Sequence, residues 1–262
     1  MVATDIPAGT ADNNRAETTV TSFRIIEALK SREYAGVTEL AGELDLAKGT
    51  VHKHLNTLRE LDYVIKEDHE YRLSLSFLGL GTAVRSRLPV YQEARQPLEK
   101  LTAATGEVAS LMIPEHGYGI YVLRTYEGDH PDVNVNEGER LPLHATAGGK
   151  AILSYTPADE RERILDVRGL PRLTENTITD RDALIDELRL VRDRRTSYDR
   201  AEYRENWHCI AQPITNEENR AIAAVTVSGP AERMEQKDSA TDLASLVGST
   251  VNSLQNRFYA DY

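Results

Sequence analysis

The stretch Ala47 to Arg59 carries three basic residues, Lys48, Lys53 and Arg59, and no acidic one, in a 262-residue chain whose net charge is −11. Wound as a helix at about 100° per residue, it puts Val51, Leu55 and Leu58 on one face, with Gly49, Lys53 and Asn56 within about 40° of the opposite side. Thr50, His52 and Thr57 border that outward stripe. Small residues at a helix start permit close approach to a nucleic-acid groove, cationic side chains neutralise phosphates, and amide and hydroxyl groups address base edges. The candidate DNA contacts are therefore Lys48, Gly49, Thr50, His52, Lys53, Asn56, Thr57 and Arg59. Arg72, in a following hairpin, is a further candidate for phosphate or the minor groove. His52 and His54 point about 200° apart on a helix and cannot share one ion, so no metal is expected.

Two enzymatic chemistries have the right residue types and the wrong spacing. Gly148-Gly149-Lys150-Ala151 resembles the end of a phosphate-binding loop, but the glycine such a loop needs five positions before Gly149 is His144, and the hydroxyl residue after Lys150 is Ala151. Ser228, His208 and Asp199 are the types of a hydrolase triad. Yet Val227-Ser228-Gly229-Pro230 lacks the first glycine of a nucleophile elbow. The expectation is a protein that is not an enzyme and carries no cofactor.

The elements that position these residues follow from periodicity. Val20, Phe23, Ile25, Ile26 and Leu29 recur at helical spacing, Thr38 to Asp45 reads as a short helix capped by Thr38 with Leu40, Ala41 and Leu44 inside, and Ala47 to Leu61 is the third helix. Tyr63 to Lys66 and Tyr71 to Ser74 are β-prone runs around Glu67-Asp68-His69-Glu70. Helix, helix, helix, hairpin is the order of a winged helix-turn-helix. Leu75 to about Thr105 is largely helical, with breaks expected at Gly79, Gly81, Pro89 and Pro97.

Strands are expected at Val108 to Ile113, Gly119 to Arg124 and Val133 to Asn136, then helices at Thr146 to Tyr155, Pro157 to Val167 and Asp180 to Arg194. An antiparallel pair, His208 to Ile214 and Ala221 to Ser228, precedes a terminal helix with a cap at Asp238 and an apolar face running to Phe258. The whole predicts an α+β protein. Residues 1–17 form a disordered lead-in, 18–75 the winged helix-turn-helix, 76–95 a helical linker, and 96–262 an α+β domain of small-molecule-sensor size.

Composition narrows the setting. A hydrophobic content of 40% fills such cores, and no apolar run reaches the length of a membrane span or a signal sequence. That predicts a cytoplasmic protein. One cysteine, Cys209, excludes an internal disulfide framework. Seven lysines against 24 arginines, with the acid excess, suit a salt-rich cytoplasm and a halophilic source.

Val37-Thr38-Glu39-Leu40-Ala41, Lys48 to Leu58 and Leu61-Asp62-Tyr63-Val64 resemble the winged helix of the IclR family of transcription regulators. Leu141 to Ala151 and Ser228-Gly229-Pro230 followed by Arg233 are similar to the family's effector-domain signatures. The resemblance implies a C-terminal GAF-like domain that binds a small carboxylate or sugar-derived metabolite. It implies effector contacts at Ala147, Gly148, Asp199, Cys209, Thr226 and Ser228. It further implies a homodimer or tetramer on a near-palindromic double-stranded operator, controlling a sugar or organic-acid catabolic operon. Backbone N–H groups at a small-residue helix start suit an anion, and Thr226 and Ser228, two apart, face one side of a strand. Each position also has a structural reading: Asp199 as a turn cap, Cys209 as inert core, Thr226 and Ser228 as satisfied strand hydroxyls, Ala147 and Gly148 as a tight loop-to-helix join. The alternatives for the whole chain are a GAF-like metabolite-binding module without a DNA role, and an enzyme on that fold.

Overall fold

A computed structural model describes residues 15–128, 136–240 and 242–260. The chain divides into two compact units, Met1–Val84 and Arg85–Tyr262. The first contains α1 (Glu17–Lys30), β1 (Ala35–Gly36), α2 (Val37–Leu44), α3 (Lys48–Glu60), β2 (Val64–Glu67) and β3 (Glu70–Leu73), followed by α4 (Ser76–Arg85). Ile25 and Leu29 of α1, Leu40 of α2, Val51 and Leu55 of α3 and Tyr71 of β3 form its buried centre. This is a winged helix-turn-helix. Residues 1–14, most of the expected lead-in, lie outside the described residues.

Local chemistry explains the joints. Thr38 lies inside α2 and does not cap it: the helix starts after Gly36, whose N–H donates to Glu39 Oε2 at 2.9 Å, because a carboxylate three residues in can satisfy one of the donors that a helix start exposes. Asp45 closes α2 in the left-handed conformation, φ 52°. Arg24 of α1 then donates to the Leu44 carbonyl at 2.7 Å. In the wing, β2 and β3 pair from Val64–Leu73 to Glu67–Glu70, so the turn is only Asp68-His69. β1 adds a third strand beside β3 that periodicity could not reveal in two residues.

The expected breaks at Gly79, Gly81 and Pro97 do not occur. Gly79 and Gly81 lie within α4, where each glycine costs only about 1 kcal/mol. Pro89 starts α5 (Pro89–Thr105), and Pro97 sits inside it. An internal proline costs about 3 kcal/mol, and burial of Val90, Ala94, Leu98 and Leu101 on one face offsets that, at roughly 1.5–3 kcal/mol per large apolar side chain. Residues 89–95, expected in a linker, thus belong to a core helix.

The second unit continues with β4 (Val108–Glu115), β5 (Tyr118–Thr125), β6 (Arg140–Pro142), a 3-10 turn at Leu143–Ala145, α6 (Ala147–Ser154), α7 (Ala158–Arg168), α8 (Arg181–Arg194), β7 (Ser197–Arg200), β8 (Trp207–Thr215), β9 (Ala221–Pro230), α9 (Ala231–Ala240) and α10 (Leu243–Ala260). Six strands make one antiparallel sheet in the order β6-β5-β4-β9-β8-β7. α5 and α10 bury one face through Leu111, Leu123, Val225, Val227 and Val247. α6, α7 and α8 bury the other through Met112, Ala151, Leu165, Leu188 and Ala224. The cap expected at Asp238 is instead at Asp242, whose Oδ1 accepts from Ser245 N–H at 3.0 Å; Asp238 falls inside α9. The strand expected at 133–136 falls on residues outside the described set except Asn136, which is not in a strand. Among the described residues no helix is long and apolar enough to cross a membrane.

Gly149→Ala would place its Cβ 2.3 Å from the Leu143 carbonyl oxygen, and should destabilise the second unit by about 1–3 kcal/mol. Gly79→Ala, with nothing within 4 Å, should raise stability by about 0.5–1 kcal/mol. Denaturant unfolding of the two variants should move in opposite directions; a shared sign would contradict this packing.

Candidate functional site

Lys48, Gly49, Thr50, His52, Lys53, Thr57 and Arg59 are exposed on α3, while Val51, Leu55 and Leu58 are buried. Asn56 is half-buried, and its amide shares a 3.2 Å hydrogen bond with the His52 ring. Thr57 Oγ1 donates to the Lys53 carbonyl. Ala47, the residue before α3, supplies no side-chain cap, which leaves the N–H groups of the first turn to outside acceptors. His54 is held at the α1–α3 seam by Ser22 Oγ, 2.8 Å from Nδ1. Burial first, and Lys53 second, lower its pKa.

Arg72 does not offer a free cation on the wing. Its Nε and Nη2 lie 2.8 and 2.7 Å from Glu67 Oε1, because β2–β3 pairing sets Arg72 opposite Ile65, one same-face step along β2 from Glu67. Both side chains stay partly exposed, 33% and 48%, so this is a surface ion pair of little net stability that a phosphate can replace.

On the α6 face of the sheet, Asp199, Cys209 and Ser228 stand in register across β7, β8 and β9. Thr226, two residues from Ser228, is the register partner of Ser110 on β4. The first turn of α6 lies directly on this row: a Cβ on Gly148 would come within 3.0 Å of Thr226 Cγ2 and 2.9 Å of Met112 Sδ. Thr146 Oγ1 accepts from Gly149 N–H, and the Thr146 carbonyl from Lys150 N–H. The N–H groups of Ala147 and Gly148 are the ones a helix start leaves for other acceptors. All six expected effector residues thus converge. Thr226 Oγ1 is buried, with the Cys209 thiol and the Tyr121 hydroxyl as its side-chain hydrogen-bonding neighbours.

Asp199 does cap a turn, as its structural reading had it: Oδ1 accepts from Glu202 N–H at 2.7 Å and Tyr203 N–H at 3.3 Å. Burial pushes its carboxyl up to about 7; Glu202 adds to the shift, while the two N–H groups and Lys150 oppose it. Burial likewise raises the Cys209 thiol and the Tyr121 hydroxyl, so both stay neutral.

Sequence reasoning missed the charges that support this row. Lys150 is 1% exposed, and its Nζ lies 2.5 Å from Glu202 Oε1 and 3.6 Å from Glu187. The motif Gly148-Gly149-Lys150 signalled it, but the partner lies 52 residues on. Glu107, fully buried, accepts from Arg233 at 2.7 and 2.8 Å and from Lys237 at 2.6 Å. Gly229 makes room for that carboxylate, since a Cβ there would meet Glu107 Oε2 at 2.3 Å. His144 is structural, its Nε2 3.0 Å from the Pro171 carbonyl. His208 alternates with Cys209 along β8 and so faces away from Asp199 and Ser228, which breaks the hydrolase constellation.

Because the folded chain holds the Asp199 proton between the usual 3.8 and about 7, where the unfolded chain has lost it, this carboxyl's contribution to stability falls as pH rises through that window. Asp199→Asn keeps the accepting Oδ1 and removes the titration. The drop in melting temperature from pH 5 to pH 8 should shrink by about a few degrees in this variant. An unchanged drop would show that Asp199 ionises normally.

Against known proteins, the model of the IclR helix-turn-helix domain matches residues 21–68, and that of the bacterial transcriptional regulator IclR C-terminal region matches residues 82–255. The HTH-type transcriptional regulator KdgR of Escherichia coli is 30% identical over 217 residues, covering 82% of each chain. An HTH-type regulator of Halobacterium salinarum, ArcR, is 28% identical over 258 residues, covering 95% of this chain and 97% of its own. A solved structure of a regulator from Rhodococcus sp. RHA1 superposes with a TM-score of 0.79 at 28% identity, over 95% of this chain and all of that one. Two domain matches in the right order, spanning both units, establish that this chain belongs to the IclR family of ligand-responsive, DNA-binding transcriptional regulators.

Proposed function

We propose that α3 reads an operator half-site and that a metabolite seated between α6 and the sheet changes the affinity of that reading. The observation that carries it is the exposed stripe of α3, which holds no acidic residue between Ala47 and Arg59 in a protein of net charge −11. Lys48, Arg59 and the open N–H groups of the first turn suit phosphates. Gly49 allows close approach. Thr50, His52, Lys53, Asn56 and Thr57 address the groove. Functionally the chain divides into a lead-in (1–17), the DNA-binding module (18–75), a helical connection (76–95) whose last residues, 89–95, also pack in the second unit's core, and the effector domain (96–262), and it acts in the cytoplasm.

The effector is a carboxylate or sugar-derived metabolite. Its anionic group accepts from the Ala147 and Gly148 N–H groups. Thr226 and Ser228 supply hydroxyls, Asp199 meets a ligand hydroxyl, and Cys209 forms a compact wall. The gathering of Thr226, Cys209 and Tyr121 side chains on this face supports the placement, since it offers a ligand several neutral polar groups at one spot.

One recognition helix covers a short site, so a homodimer on a near-palindromic operator, or a tetramer built from such dimers, is the working assembly. Support comes from α4, where Leu78, Leu80 and Val84 are exposed, with Leu75 just before it at 81%; a helix that leaves so many large apolar side chains exposed calls for a partner. A metabolite that favours one dimer arrangement changes operator affinity, and DNA changes metabolite affinity by the same factor. The target is a sugar or organic-acid catabolic operon, in a salt-rich cell.

Fluorescence anisotropy with a duplex from upstream of the chain's own gene tests the reading. Lys53→Ala and Asn56→Ala should each weaken binding by about 1–3 kcal/mol, with Lys53→Ala also lowering the salt slope by about 1. Metabolite-induced thermal shifts should survive in both variants and vanish in Thr226→Val. Equal loss of both activities in every variant, or a duplex affinity that ignores α3, would sink it.

A further inference from the structure

On the sheet face turned away from α6 lies a cleft apart from the DNA surface, bordered by Asp199 and Cys209 of the effector row and otherwise lined by residues that the row does not use. It measures about 190 Å³ and lies at the β7–β8 corner under α9 and the start of α10, more than tenfold the ~15 Å³ that one water needs. Side chains alternate along a strand. The side chains of the register pair Asp199–Cys209 therefore face α6, although both residues border the cleft, while the pairs on either side, Tyr198–Ile210 and Arg200–His208, turn theirs toward it.

The floor is apolar: Ile210, Met234 and Leu243 are buried there in the α5–α10 core. The mouth is charged, with opposite signs on opposite elements. Arg200 projects from β7, stacked 4.8 Å over the Tyr198 ring. Glu235 projects from α9, its Oε1 3.7 Å from His208 Nδ1. A simple anion meets repulsion from Glu235, and a simple cation from Arg200. A molecule with a carboxylate and an ammonium on one carbon, and an apolar tail, satisfies both walls and the floor.

We infer that this cleft binds a free α-amino acid with an apolar side chain, its carboxylate on Arg200 and its ammonium on Glu235. The strands that hold it also carry Asp199 and Cys209, so the amino acid is a second effector, coupled to the first through β7 and β8. Only that coupling rests on the reading of the α6-side pocket; binding itself does not.

Isothermal titration of the full chain with L-leucine tests it, beside 4-methylpentanoate, which lacks the ammonium, and L-leucinamide, which lacks the carboxylate. Leucine should saturate one site per chain, with each analogue at least about tenfold weaker. Arg200→Ala should erase the preference over leucinamide and Glu235→Gln the preference over 4-methylpentanoate, each leaving the other preference in place. Circular dichroism should match wild type in both. No saturation at millimolar leucine, or analogues that bind equally well, would overturn the proposal. So would leucine affinity that is lost in Asp199→Ala and kept in Arg200→Ala, since that places the amino acid in the α6-side pocket. Operator binding plays no part in this readout.

Discussion

The start of α6 has to approach the sheet closely at Gly148, and much of the second unit follows from that contact. Gly148 lies against Met112 and Thr226, and Gly149 against the Leu143 backbone, at distances that leave no room for a Cβ. Thr146 fixes the first turn by accepting from Gly149 and donating to the Pro142 carbonyl. The helix then presents open N–H groups to a row of strand side chains without a bulky residue to shield them. Helix termini on open surfaces spend their polarity on water. Here it is aimed at Asp199, Cys209, Thr226 and Ser228.

Buried charge holds the pieces around that contact in place. Lys150 leaves α6 on its far side and meets Glu202, which sits in the turn that Asp199 caps. Glu107 ties the start of β4 to α9 through Arg233 and Lys237. Such pairs add little net stability, because desolvation offsets the attraction, but breaking one by removing a partner is costly. Their effect is to make alternative packings of α6 and α9 expensive, which suits a domain whose proposed ligand contacts come from four separate segments.

How much was legible in the sequence depended on the range of the interaction. The α3 stripe was legible because Val51, Leu55 and Leu58 repeat at helical spacing, and the close seat of α6 on the sheet because Ala147 and Gly148 fall within a stretch that resembles a family signature. β7 was not: Ser197-Tyr198-Asp199-Arg200 is a short polar run, and it becomes a strand only by pairing with β8. The Gly36 start of α2 was displaced to Thr38 because hydroxyl residues are the usual caps, whereas here Glu39 does that work from inside the helix. Arg72 looked available because its neutralising partner, Glu67, is brought to it by the hairpin. Lys150 and Glu202 are 52 residues apart, and periodicity carries no information at that distance.

Both edges of the large sheet are short, three residues in β6 and four in β7. A long bare edge invites strands from another molecule to continue the ladder, and abbreviated edges remove that invitation. Open-ended sheet growth between molecules is thereby disfavoured, and contacts with other chains are left to helical surfaces, where side chains rather than backbone set the match.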